Sequence, residues 1–269
     1  MPFQAHPDFR PPANPDEPIW RYMDLPKFLS VLDRAALYFP RIDKLAEADP
    51  FEGYQTNAEA GIDKLKFEDL PPGWLATTPF NTPELFRKFI DLRQVMRDFA
   101  ARNRESTFVN SWHAQEYESA AMWSLYLKSR DGIAIQSTYN RLIQSMTSYT
   151  DFFVFVGLIH YIDYDREFIP QGNLLFPFMH KRKSFEHEKE LRALIWTPQH
   201  GKNDLTDPSK NKFKDTPGLY VPVDIKALIQ AVFVAPTADR WFADLVSSLT
   251  RRFDLNLTVV KSRLTDLPS

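Results

Sequence analysis

The sequence predicts an α+β fold: a single domain with a mixed, mostly antiparallel β-sheet flanked by helices. Short β-branched and aromatic runs such as Thr107–Trp112 and Ile133–Gln136 predict strands. Segments with helical periodicity and cap signals lie between them, as where Thr82-Pro83 precedes Leu85, Phe86, Phe89 and Ile90. A hydrophobic share of 43%, with 22 Phe in 269 residues, is enough core for one large domain.

Residues 1–18 hold six prolines and no periodicity, so they read as a Pro-rich N-terminal arm, with 19–269 as the single α+β domain. Ile19-Trp-Arg-Tyr22 is a short strand. Asp24 caps a following helix with Pro26 in its first turn, and Ala36-Leu-Tyr-Phe39 is the next strand. Asp49-Pro-Phe-Glu52 sits in a loop, and residues 57–80 read as irregular. A helix from Thr82 to Arg104 carries an apolar stripe that includes Leu85, Leu92, Val95 and Met96. After Thr107–Trp112 come a helix over Glu118–Lys128, the strand Ile133–Gln136, a helix over Thr138–Ser148 and a β-prone run at Phe152–Tyr161. Strands at Leu219–Val223 and Ile229–Val234, a helix near Asp239–Phe253 and a strand at Asn256–Lys261 complete the order.

Composition narrows the function classes. A net charge of −2 supplies no global basic field for nucleic acid, although local basic surface remains open. There is no Cys, hence no disulfide framework and no thiol nucleophile. No window approaches the roughly 18 apolar residues of a membrane span, and Met1–Arg10 lacks the pattern of a signal peptide, so a cytoplasmic setting is expected. The six His form no His-x-x-x-His pair, and neither a phosphate-binding Gly loop nor a Gly-x-Ser-x-Gly elbow is present. No metal site is expected.

The segment Lys181-Arg-Lys-Ser-Phe-Glu-His-Glu-Lys-Glu-Leu-Arg192 carries the chemistry. Glu186, Glu188 and Glu190 fall at every second position, so an extended chain would put them and Arg192 on one face. Carboxylates beside a fixed guanidinium suit a small-molecule site. They equally suit a charged edge neutralised by Lys181, Arg182, Lys183 and Lys189. No Glu of the row has Lys two residues on, which removes the usual nuclease pattern. Arg21, in an aromatic-flanked strand, fits phosphate or carboxylate bidentately, or else a buried ion pair with Glu52, Glu188 or Glu190. Trp123 and Tyr126 share a helix face that is either core or a stacking platform. His113 reads as a surface residue.

Taken in order, several short motifs resemble the bacterial domain-of-unknown-function family 2971. They are Trp20-Arg-Tyr22, Leu37-Tyr-Phe39, Asp49-Pro-Phe-Glu52, Asn110-Ser-Trp112, Met122-Trp-Ser-Leu-Tyr126, Gly132-Ile-Ala-Ile135 and Lys183…Glu188-Lys-Glu190-Leu-Arg192. Ala48 departs from that pattern, which carries Asn before Asp-Pro-Phe-Glu. The resemblance implies a bacterial protein linked to phage defence or abortive infection. A more distant resemblance, to the ADP-ribosyltransferase superfamily, implies a split sheet around an NAD cleft. It casts Glu188 or Glu190 as catalytic, with Arg21 and Tyr126 in the binding roles; Tyr22, Trp123, Lys183 and Arg192 stand beside them as further candidates for binding substrate, and both glutamates are kept as catalytic candidates. NAD would be a substrate rather than a bound cofactor, and the partner a macromolecular target. Two other expectations stand beside this one: a non-enzymatic ligand-binding or interaction domain of a defence system, and a nuclease or nucleotide-processing enzyme.

Overall fold

The computed structural model describes residues 2–126, 131–170, 172–197, 213 and 215–266. Strand β1 (Pro18–Asp24) ends at Asp24, whose carboxylate accepts the Lys27 N–H at 2.9 Å and caps α1 (Leu25–Arg34). Phe28, Val31 and Leu32 bury the inner face of α1. Ala35, in the left-handed region at φ 45°, turns the chain into β2 (Ala36–Pro40). Helices α2 (Asn57–Ile62), α3 (Pro72–Thr77) and α4 (Pro83–Asn103) follow. Next come β3 (Thr107–Ala114), α5 (Ala120–Tyr126), β4 (Gly132–Thr138), α6 (Tyr139–Ser145), β5 (Val154–Leu158), β6 (His160–Ile162), β7 (His180–Arg182) and β8 (Glu190–Trp196). The chain ends with β9 (Gly218–Pro222), α7 (Ile225–Leu228), β10 (Ala231–Val234), α8 (Arg240–Arg252) and β11 (Thr258–Lys261).

These elements form the expected α+β fold. A seven-stranded sheet runs β11-β10-β4-β1-β3-β8-β5, with β2–β9 and β6–β7 as separate two-stranded ribbons. Within the large sheet only β10–β11 is parallel; its other pairs are antiparallel. Among the described residues no helix is long and apolar enough to cross a membrane.

Three local expectations change. Residues 57–80 contain α2 and α3 rather than irregular chain; Thr56 and Glu59 form a reciprocal capping box that starts α2. The β-prone run at Phe152–Tyr161 divides into β5 and β6, because the Ile159 N–H still bonds to Glu190 O while the His160 N–H turns to Met179 O. On α4 the apolar stripe stays largely outside: Leu85, Leu92, Val95 and Met96 are exposed while Phe86 is buried.

The N-terminal arm is packed. Val154 donates to Pro2 O at 2.8 Å, Gln4 to Val154 O at 3.1 Å and Leu158 to Arg10 O at 2.8 Å, so the arm covers the outer edge of β5. Gly157 makes that approach possible, since a Cβ there would lie 2.9 Å from the Phe9 backbone. Gly157→Ala should therefore lift the arm or strain β5, costing about 1–3 kcal/mol in a denaturant melt. An unchanged midpoint would refute the tight fit.

The β6–β7 ribbon stacks His160 on His180, with ring centroids 5.2 Å apart. The His180 Nδ1 lies 2.7 Å from Phe176 O, which assigns the proton to that nitrogen. Burial first, then the charge of Arg10 on His160 and of His160 on His180, pulls both rings below the ordinary 6.5. The unfolded chain therefore takes up protons first as pH falls. Stability from this pair should be complete above about 6.5 and drain away on acidification through the folded values. Comparing Tm against pH for the parent and His160→Gln checks it: the variant should show the shallower acid slope.

The main sheet is pinched at one junction. Strand β1 pairs with β4 along its whole length, from Pro18↔Thr138 to Asp24↔Gly132. With β3 it pairs only at Ile19↔Ala114 and Trp20↔His113. Beyond Trp20 the two strands part, and the Arg21 side chain crosses the gap to donate from Nη1 to Ser111 O at 2.6 Å. The sheet is thus continuous at one end of this junction and forked at the other.

Candidate functional site

The glutamate row is not extended. Residues Lys183–Glu188 form a 3-10 turn, closed by the Lys189 N–H on Glu186 O at 3.1 Å with Lys189 at φ 39°. The period-two argument fails because the strand begins only at Glu190. Glu186 points to solvent, and only Glu190 and Arg192 share a face of β8. The turn is anchored to β3, where His113 Nδ1 lies 2.6 Å from Glu188 O and the Ala114 N–H reaches Lys189 O.

Glu190 sits at the centre of a buried ionic network. Its Oε1 accepts from Ser111 Oγ at 2.5 Å and Arg192 Nε at 2.6 Å; its Oε2 accepts from Arg192 Nη2 at 3.0 Å and Lys181 Nζ at 3.1 Å. Arg192, wholly buried, also donates from Nη1 to Glu52 Oε1 at 2.7 Å and Phe178 O at 2.6 Å. Lys181 further meets Glu188 at 2.6 Å and Glu52 at 3.7 Å. Burial alone would raise the Glu190 carboxyl, but Arg192 and Lys181 outweigh it and hold the group far below its ordinary value. By the same balance, burial would lower Lys181 and Arg192, and the carboxylates of Glu190 and Glu52 raise both. Glu190 is therefore a saturated carboxylate, with no lone pair free for acid–base work.

Three carboxylates, of Glu52, Glu188 and Glu190, share the two cations Lys181 and Arg192, which leaves one negative charge in excess. Glu188 is the under-served member: Lys181 is its one direct partner among the described residues. Burial raises its carboxyl above 4.5, Lys181 pulls it back, and the neighbouring Glu190 raises it again.

Arg21 is the complementary cation. Among the described residues no carboxylate pairs with it. Its guanidinium holds the Ser111 carbonyl and lies 6.0 Å from the Trp112 ring centroid. Burial pushes it down to about 10, against smaller upward pulls from Tyr126 and Glu190. An enclosed guanidinium without an acidic partner is a ready site for an anion.

These groups line one cleft of about 500 Å³ that opens in the fork between β1 and β3. Arg21 and Tyr22 come from β1, Ser111 and His113 from β3, Tyr126 from α5, and Lys181, Glu188, Glu190 and Arg192 from the β7–β8 segment. Tyr126, 46% exposed, carries a hydroxyl whose pKa is raised by burial and then by Glu188 and Glu190. A second cavity of about 440 Å³, between α4 and residues 169–170 and 172–177, is mainly apolar, and its Arg93 and Arg97 are committed to Asp63.

Of the predicted site residues, Arg21, Tyr22, Tyr126, Glu188, Glu190 and Arg192 meet at the cleft. Tyr22 serves partly as scaffold, since its hydroxyl accepts the Ser119 N–H at 2.8 Å and burial pushes its pKa up to about 12. Trp123 does not reach the cleft; it is buried edge-on to Tyr22 and donates Nε1 to Glu118 at 3.0 Å. Lys183 does not reach it either. On the outer side of the turn it pairs with Glu167 at 3.0 Å, because the 3-10 turn directs it away from β8. His113, expected at the surface, is buried instead. Sequence reasoning missed Ser111, which joins Arg21 to Glu190, and Tyr161, whose hydroxyl accepts the Glu190 N–H at 2.8 Å. Asn110-Ser-Trp112 was visible as a motif, but a serine in a strand carries no sign of its partner. Comparison with family models, with curated proteins and with solved structures finds no match to this chain.

Proposed function

We propose that the forked cleft binds NAD and cleaves its nicotinamide–ribose bond, passing ADP-ribose to a macromolecular target in a bacterial defence or toxin setting. The observation that carries this reading is the pairing of an acid-free guanidinium, Arg21, with an under-served carboxylate, Glu188, on one open cleft. The fork supports it too, since the distant ADP-ribosyltransferase resemblance implies a cleft between halves of a split sheet. Arg21 holds the pyrophosphate, and the half-exposed Tyr126 ring stacks on the nicotinamide. When the bond from ribose C1′ to the cationic ring nitrogen breaks, its electron pair goes to that nitrogen. Positive charge then develops on the ribose, where the Glu188 carboxylate stabilises it, and Glu188 takes the proton of the incoming nucleophile. Glu190 holds Arg192, Lys181 and Ser111 in place and does no proton transfer.

Incubating the protein with NAD and bacterial lysate should release nicotinamide. No release, together with no detectable NAD binding, refutes the proposal. A second reading, a non-enzymatic ligand-binding or interaction domain, is favoured by the saturation of Glu190. It expects NAD or another anion to bind without turnover.

A further inference from the structure

We propose that the ring pair Tyr38–Tyr220, on the wall of the same cleft, is a second base-binding subsite that takes the purine of a dinucleotide; this rests on the NAD reading above. The two tyrosines are direct cross-strand partners in the β2–β9 ribbon, with ring centroids 5.0 Å apart and planes tilted by 52°. Both line the cleft that Arg21 and Glu188 line, and Tyr220 is 45% exposed. Their wall differs from that of Tyr126. The ribbon lies beside β3 and is tied to it where the Asn110 side chain donates to Tyr38 O at 2.9 Å, whereas α5 packs on β1.

The ribbon is shaped around the rings. Gly218 stands where a Cβ would fall 2.4 Å from Tyr38 Cζ and Oη, so a glycine lets the Tyr38 ring lie across the ribbon. The Arg34 guanidinium sits 4.4 Å from the Tyr220 ring centroid and fixes it from α1. A core packing role does not account for a partly exposed tyrosine held in this way on a cleft wall. The cleft therefore has aromatic rings on two walls, with the anion-seeking Arg21 lining it as well. A molecule with two flat heterocycles joined by an anionic linker matches that set of groups. At about 500 Å³ the cleft falls within the ~300–1,000 Å³ range of small-molecule sites. A mononucleotide would leave one set of rings empty.

The test is calorimetric titration of AMP, NMN and NAD into the parent protein, Tyr220→Ala and Tyr220→Phe. Tyr220→Ala should weaken AMP and NAD by about tenfold or more, as expected for loss of a base–aromatic stack. NMN should stay within about twofold, and Tyr220→Phe, which keeps the ring, should bind all three as the parent does. Thermal melts confirm folding, which the exposed position of Tyr220 favours. Unchanged AMP and NAD affinity in Tyr220→Ala overturns the subsite while leaving the NAD reading standing. Equal weakening of NMN also overturns it, because the ring would not discriminate the purine. A parent protein that binds AMP, with loss in Tyr220→Ala, but neither NMN nor NAD would keep a purine site and remove the NAD reading. Binding of none of the three removes both.

Discussion

Arg192→Met should cost about 3–5 kcal/mol of folding stability, the usual result of removing one partner from a buried ion pair. The guanidinium spends its donors on both oxygens of Glu190, on Glu52 and on Phe178 O, all inside the protein. Its loss leaves two buried carboxylates with Lys181 alone, and Lys181 already serves Glu188. Arg192→Lys should recover little, since one ammonium cannot span these acceptors in place of a planar fork. In a chain of this size the loss corresponds to a fall in Tm of roughly 6–20 °C. The effect should also depend on pH. Glu190 is held below its ordinary value of 4.5, so its stabilisation is fully present above that pH. Below it the unfolded chain binds the proton first, and the stabilisation is lost as pH falls towards the folded value. Parent and variant melts should therefore converge on strong acidification. A variant melting within a degree or two of the parent at neutral pH would show that the network does not hold the fold.

Legibility in the sequence followed the range of the interactions. Elements set by local chemistry were readable: Asp24 and Pro26 mark α1, Thr82 and Pro83 mark α4, and the run Ile133–Gln136 marks β4. The Thr56–Glu59 capping box that starts α2 is a local signal of the same kind, written in the sequence as Thr-x-x-Glu. The glutamate row was not legible in this way. Alternation at Glu186, Glu188 and Glu190 fits a strand, yet the hydrogen bond from Lys189 to Glu186 and the anchors from His113 and Ala114 favour a turn. Those anchors lie more than 70 residues away in sequence, and no periodicity reports them. The same limit explains the roles of Arg21, Glu188 and Glu190. Residue types alone placed them at one site, but only the partner count separates a saturated carboxylate from an under-served one. Lys181 and Glu52 were legible as countercharges and not as parts of one network.

Glu188→Gln should slow nicotinamide release by about 10²–10⁴-fold, the usual contribution of a positioned acid–base group, while leaving the fold intact. The stability expectation follows from its place in the network. Removing its charge takes one carboxylate from the three that share Lys181, and Lys181 keeps Glu190 and Glu52. The melting curve should then stay within roughly 1–1.5 kcal/mol of the parent, the net worth of one hydrogen bond, because the neutral amide leaves no unpaired charge behind. That opposes the outcome at Arg192, so the two variants together separate chemistry from scaffold. A pH profile adds a signature that a structural role would not produce. Burial raises Glu188 above 4.5, so its ionised form is lost on acidification at a higher pH than for an ordinary glutamate. The parent rate should fall along that acid limb, and the residual rate of Glu188→Gln should lack it. A Glu188→Gln protein that turns over NAD at the parental rate would remove Glu188 from the reaction. One that melts as far below the parent as Arg192→Met would assign it to the fold instead.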